Sequence, residues 1–134
     1  ADLDNPEHPI VPSLDLFFRM MDEPRYQGLL FGEISAVTLF NRMGEPLTRL
    51  LRRNDLHQRF VNGSDYPIPA VNIVVRTGAM ADAGYITESE RQALNEIYAM
   101  NPLLFDFVLK RSLRAPDSGE RFLDSVFMRQ EALE

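Results

Sequence analysis

Phe60-Val61-Asn62-Gly63-Ser64-Asp65-Tyr66-Pro67 is the stretch on which the fold turns. An apolar pair runs into glycine, and a carboxylate follows two residues later. That pattern predicts a short strand beginning at Phe60 and ending at Gly63. Parallel α/β proteins carry their reactive groups at the carboxyl ends of strands. Asp65 stands where a general base or a metal ligand belongs. The same spacing also suits a plain turn, since Ser-Asp ahead of prolines is common in loops. Pro67 and Pro69 forbid regular structure just beyond it.

Upstream, Leu29 to Ser35 is a short apolar run with one charge, and it reads as a buried strand. Alternation puts Glu33 and Ser35 on one face, so Ser35 is a candidate to line a pocket; the plainer reading pairs Glu33 with a nearby arginine and has Ser35 cap the turn. Gly44 breaks the chain, and Pro46 suits the first turn of a helix through about Asn54, with Leu47, Leu50 and Leu51 inward. Arg49, Arg52 and Arg53 give that helix a basic face, read as solvated and neutralised by nearby acids. His57 precedes the Phe60 strand, at the end away from the chemistry, and reads as structural or exposed. Further upstream, residues 1–12 form a proline-rich loop holding His8, and Ser13 N-caps a helix ended by Pro24.

Downstream, Ala70 to Ala83 reads as a helix with Gly84 as its C-cap. Thr87-Glu88-Ser89-Glu90 is a capping box opening a helix to about Met100. Asn101-Pro102 starts another through Leu113. Ala115 to Gly119 is a linker, and a tail helix carries Phe122, Leu123, Val126 and Phe127 on one face. Single strands alternating with helices point to parallel βα units. Two strands fall short of the three or more that a self-sufficient sheet needs.

The whole chain has 134 residues, no cysteine, no tryptophan and a net charge of −6. That is globular composition for one unit over residues 1–134. It is too short for a complete (β/α)8 barrel, which takes about 250 residues. Lack of cysteine excludes disulfides and thiolate chemistry and fits a cytoplasmic setting. The acidic balance argues against nucleic acid as a partner. No stretch approaches the roughly 18 apolar residues of a membrane helix, so no membrane partner is expected. No Gly-x-Ser-x-Gly elbow is present, which sets nucleophilic serine chemistry aside.

The residues from Gly63 to Pro67 resemble the Gly-Ser/Thr-Asp-Tyr/Trp-Pro motif of the amidohydrolase superfamily of metal-dependent hydrolases. Asn101-Pro102-Leu103-Leu104-Phe105 is similar to that family's helix-opening pair followed by Leu-Phe. Leu29 to Ser35 is similar to its seventh strand. The resemblance spans about Leu14 to Arg114. It implies an α/β, helix-rich fold: the last βα units of a partial (β/α)8, or TIM, barrel. It further implies hydrolysis of an amide, ester or lactone, or a related decarboxylation, on a small-molecule substrate. Asp65 would be catalytic and a metal contact. By position alone, Tyr66 beside it is a candidate either to touch substrate or to pack against the proline turn, and Ser35 is a candidate substrate contact at the strand end. The cofactor would be a divalent metal, zinc by preference, in the complete enzyme. The family's metal histidines, a His-x-His and two single ones, have no match, because His8 and His57 are the only histidines. Chain alone is therefore expected to be inactive and without bound metal. Its expected partner is the missing N-terminal barrel portion or a second copy of itself. The rival reading is a small, non-catalytic helical interaction domain in which Asp65 is a turn residue.

Overall fold

The structure is a computed structural model and describes residues 1–71 and 74–128. By its internal contacts the chain forms two compact units, Ala1–Phe31 and Gly32–Glu134.

The first unit is built on helix α1, Ser13–Asp22, followed by a 3-10 turn at Pro24–Tyr26. Proline stops the helix because it lacks the N–H needed to continue it. The N-cap position is Pro12, without a side-chain cap, so Ser13 lies inside the helix and does not cap it. Phe18 and Met21 are buried. The opening loop has no regular element but is tethered. Arg19 donates to both oxygens of Asp2, at 2.5 and 2.8 Å. That guanidinium holds the Asp2 carboxyl down at about 2.

In the second unit β1, Gly32–Glu33, pairs in parallel with β2, Phe60–Val61, with Gly32 opposite Phe60 and Glu33 opposite Val61. Helix α2, Glu45–Arg52, lies between them in sequence and buries Leu47 and Leu51. The expected strand from Leu29 shrinks for a local reason. The N–H groups of Leu29 and Leu30 both turn back to the Tyr26 carbonyl, and Gly28 takes a φ of 75°. Leu29 is left 78% exposed.

Three helices follow: α3, Thr77–Asp82; α4, Glu88–Met100; and α5, Pro102–Ser112. α4 and α5 each open on a side-chain cap. Thr87 and Glu90 exchange side-chain and backbone bonds in a capping box, and Asn101 accepts from the N–H groups of Leu103 and Leu104. Gly84 ends α3 in the left-handed region, with its own N–H on Ala81 and that of Tyr85 on Met80. The helix expected from Ala70 is shorter. A 3-10 turn covers Ile68–Ala70, residues 72 and 73 lie outside the described residues, and α3 begins at Thr77. Of the tail expected over 115–134, the helix is α6, Ser125–Met128, so Val126 and Phe127 lie on it while Phe122 and Leu123 precede it; residues 129–134 lie outside the described residues.

Two long-range ties close this unit. Tyr85, 2% exposed, bonds through its hydroxyl to both the N–H and the carbonyl of Gly44, at 2.9 and 2.8 Å. Thr48 Oγ1 lies 2.8 Å from the same oxygen. The phenol thus caps α2, whose glycine N-cap offers no side chain. His57 is fully buried between the rings of Phe60 and Phe122. Its Nδ1 accepts from Leu123 N–H at 3.2 Å, so Nε2 carries the proton and donates to the Leu50 carbonyl at 2.9 Å. The histidine is structural.

The chain is not a partial (β/α)8 barrel. It is helix-rich, and among the described residues its sheet consists of one parallel pair, two residues per strand. Helix packing takes the place of a larger sheet, with α3, α4 and α5 in sequential contact. At the β2 end Asn62 N–H donates to Val126 of α6 at 3.0 Å, so a helix meets the chain where a barrel would need a further strand. No helix among the described residues is long and apolar enough to cross a membrane.

Candidate functional site

The carboxyl ends of β1 and β2 lie side by side, because the pairing is parallel. Ile34 N–H reaches across to the Val61 carbonyl at 3.1 Å and closes the ladder. Beyond it one strand continues into Ser35, and the other into Asn62, Gly63, Ser64 and Asp65. Asp65 is exposed and holds a φ of 53°, a left-handed conformation that non-glycine residues rarely adopt. Its carbonyl accepts from Ile68 N–H at 3.0 Å, and Ser64 Oγ accepts from Tyr66 N–H at 3.3 Å. These bonds make a tight turn with the carboxylate outward. Tyr66 is 59% exposed on the same turn. Ser35 is half-buried at the same end of the sheet. The three residues singled out from sequence thus share one end of the strand pair.

Glu33, the last residue of β1, folds its carboxylate across Gly63; a Cβ at Gly63 would land on that carboxylate. Glycine is what allows the approach. Beneath the turn lies a pair that sequence reasoning missed. Lys110 and Asp106 of α5 are 0% and 1% exposed. Lys110 Nζ donates to Asp106 Oδ2 at 2.7 Å and to the Gly63 carbonyl at 2.6 Å. Burial pushes the Asp106 carboxyl up, while Lys110 and Thr38 pull it down. Burial likewise pushes the Lys110 ammonium down, against the opposing charges of Asp106, Glu33 and Asp65. The clue was present in Phe105-Asp106-Phe107-Val108-Leu109-Lys110. An i,i+4 acid–base pair whose neighbours Phe105 and Leu109 share its helix face is aimed inward.

The other candidates fall away from this site. His8 is exposed in the opening loop. Arg49 pairs with Glu45, Arg52 with Asp117 and Arg53 with Asp55, so the basic face is neutralised. Among the described residues no three His, Asp or Glu side chains come together in a group able to hold a metal ion. Zinc takes three or four protein ligands. Asp65 with Glu33 falls short of that, and the described residues do not by themselves fit a metal. What the arrangement can do unaided is hold the Asp65 backbone in a tight turn with its carboxylate facing solvent, near a buried ammonium. No protein-family model, no curated protein and no solved structure matches the chain.

Proposed function

We propose that this chain carries the proton-accepting carboxylate of a metal-dependent hydrolase of the amidohydrolase type, with Asp65 in that role. The observation that supports it is the presentation of Asp65: exposed, left-handed in backbone, just past the carboxyl end of a parallel strand. A carboxylate in that pose takes a proton from an attacking water and returns it to the leaving group. The substrate is a small amide, ester, lactone or carboxylate, met by Tyr66 and Ser35. Ligands for the metal come from protein outside the described residues, and the chain alone is inactive. A reducing cytoplasm suits a protein without cysteine.

The coding sequence upstream of Ala1 gives the first test. A His-x-His and two further single histidines there support the reading; an initiator methionine directly before Ala1 overturns it. The second test is turnover by the full-length gene product, supplied with zinc or manganese, on a panel of esters, lactones and amides. Turnover is expected to vanish on chelation and to fall at least about 100-fold in Asp65→Asn, the scale of a lost general base. Turnover indifferent to Asp65→Asn sinks the proposal.

The second reading, a non-catalytic helical interaction domain, is favoured by one feature. Met100, Leu103 and Leu104 are exposed together at the junction of α4 and α5. Exposed apolar groups of that kind mark contacts with other chains.

A further inference from the structure

We propose that Lys110 is the positioning residue for Asp65, its ammonium fixing the Gly63 carbonyl and thereby the turn that presents the carboxylate. This rests on the reading of Asp65 given above but makes its own claim about the turn.

The geometry is direct. Lys110 reaches Gly63 from 47 positions away in sequence, at 2.6 Å, and Gly63 lies two residues before Asp65. The turn needs such an anchor. A non-glycine residue at a φ of 53° is strained, and strain of that kind persists only where its surroundings over-determine it. The turn's own bonds, from Tyr66 to Ser64 and from Ile68 to Asp65, sit at exposed or half-buried positions. The Lys110 bond arrives from the buried side. Asp106 aims the ammonium, and Thr38, also buried, backs Asp106. Packing alone does not explain a lysine here. Apolar side chains of similar volume often replace a buried ion pair with no loss of stability. An ammonium does what they cannot: it grips a carbonyl.

The test uses the 134-residue chain by NMR. A double variant, Lys110→Met with Asp106→Leu, removes the anchor and leaves no unpaired buried charge. The wild-type chain is expected to give the strong intraresidue amide–Hα NOE of a positive φ at Asp65. The folded double variant is expected to lose it, with raised mobility confined to Gly63 through Tyr66. Retention of that NOE and of wild-type order parameters in the folded double variant overturns the proposal. A second measurement needs no variant: a through-hydrogen-bond correlation between Lys110 Nζ and the Gly63 carbonyl supports it. A Lys110 ammonium exchanging at the rate of an exposed lysine overturns it.

In the full-length gene product the double variant is expected to lose about 10- to 100-fold in kcat with KM nearly unchanged, as for a misplaced catalytic group. Unchanged kcat beside a crippled Asp65→Asn overturns positioning alone. An Asp65→Asn enzyme of full activity overturns the hydrolase reading, and the NMR result then decides on Lys110 by itself.

Discussion

Lys110 has no access to water, so its partner decides what a substitution costs. Lys110→Met alone strands the Asp106 carboxylate, one of whose oxygens, Oδ1, is already buried without a hydrogen-bond partner. Breaking a buried pair from one side costs about 3–5 kcal/mol. Urea denaturation is expected to show that loss, with most of it recovered on adding Asp106→Leu. His57 makes a second demand. Burial pushes its pKa below the ordinary 6.5. The folded protein therefore binds fewer protons than the unfolded chain below about pH 6.5. Stability is fully present above that pH and is lost as pH falls towards the depressed value. Protonation also removes the Nδ1 lone pair that holds Leu123 N–H. Thermal melts at stepped pH are expected to fall below about pH 6.5, with the slope flattened in His57→Gln. Asp65 was legible in sequence because glycine, aspartate and proline punctuate a turn. Lys110 was not, because an i,i+4 acid–base pair ordinarily reads as a surface pair.

Helix ends were legible where the sequence writes a side-chain cap, at Thr87 and Asn101, and not at Ser13 or at the start of α3. Thr87→Ala removes the side-chain half of the capping box and is expected to cost about 1 kcal/mol, measurable as a lowered denaturation midpoint. The Arg114 bond to Glu90 limits the damage by keeping that carboxylate in place. Strand lengths were less legible. An apolar run such as Leu29-Leu30-Phe31 fixes no hydrogen-bond partner by itself, and here the Tyr26 carbonyl takes two of its N–H groups. Further on, Val71 N–H bonds to the Ile68 carbonyl and Val74 N–H to the Val71 carbonyl. The helix expected from Ala70 starts only at Thr77, after a 3-10 turn over Ile68–Ala70 that holds Pro69.

At the scale of the molecule, the parallel order of the two strands was legible and the extent of the sheet was not. Alternating strands and helices specify the handed βαβ connection, but the number of strands depends on pairings far apart in sequence. Met100, Leu103 and Leu104 stand exposed together where α4 meets α5. Self-association is the expected result, read by light scattering as a mass above that of one chain. A monomer at every concentration would leave self-association without support.

The Tyr85 hydroxyl carries a consequence for the order of events in folding. Helix α2 has eight residues, too few to persist alone in water, and its cap arrives from 41 positions further along. The hairpin of α4 and α5 carries its caps in its own sequence, Thr87 and Asn101, and can form first. The α2 start would then assemble after the rate-limiting barrier, on the native side of it. Stopped-flow measurements on Tyr85→Phe are accordingly expected to show faster unfolding with refolding little changed, whereas Thr87→Ala slows refolding.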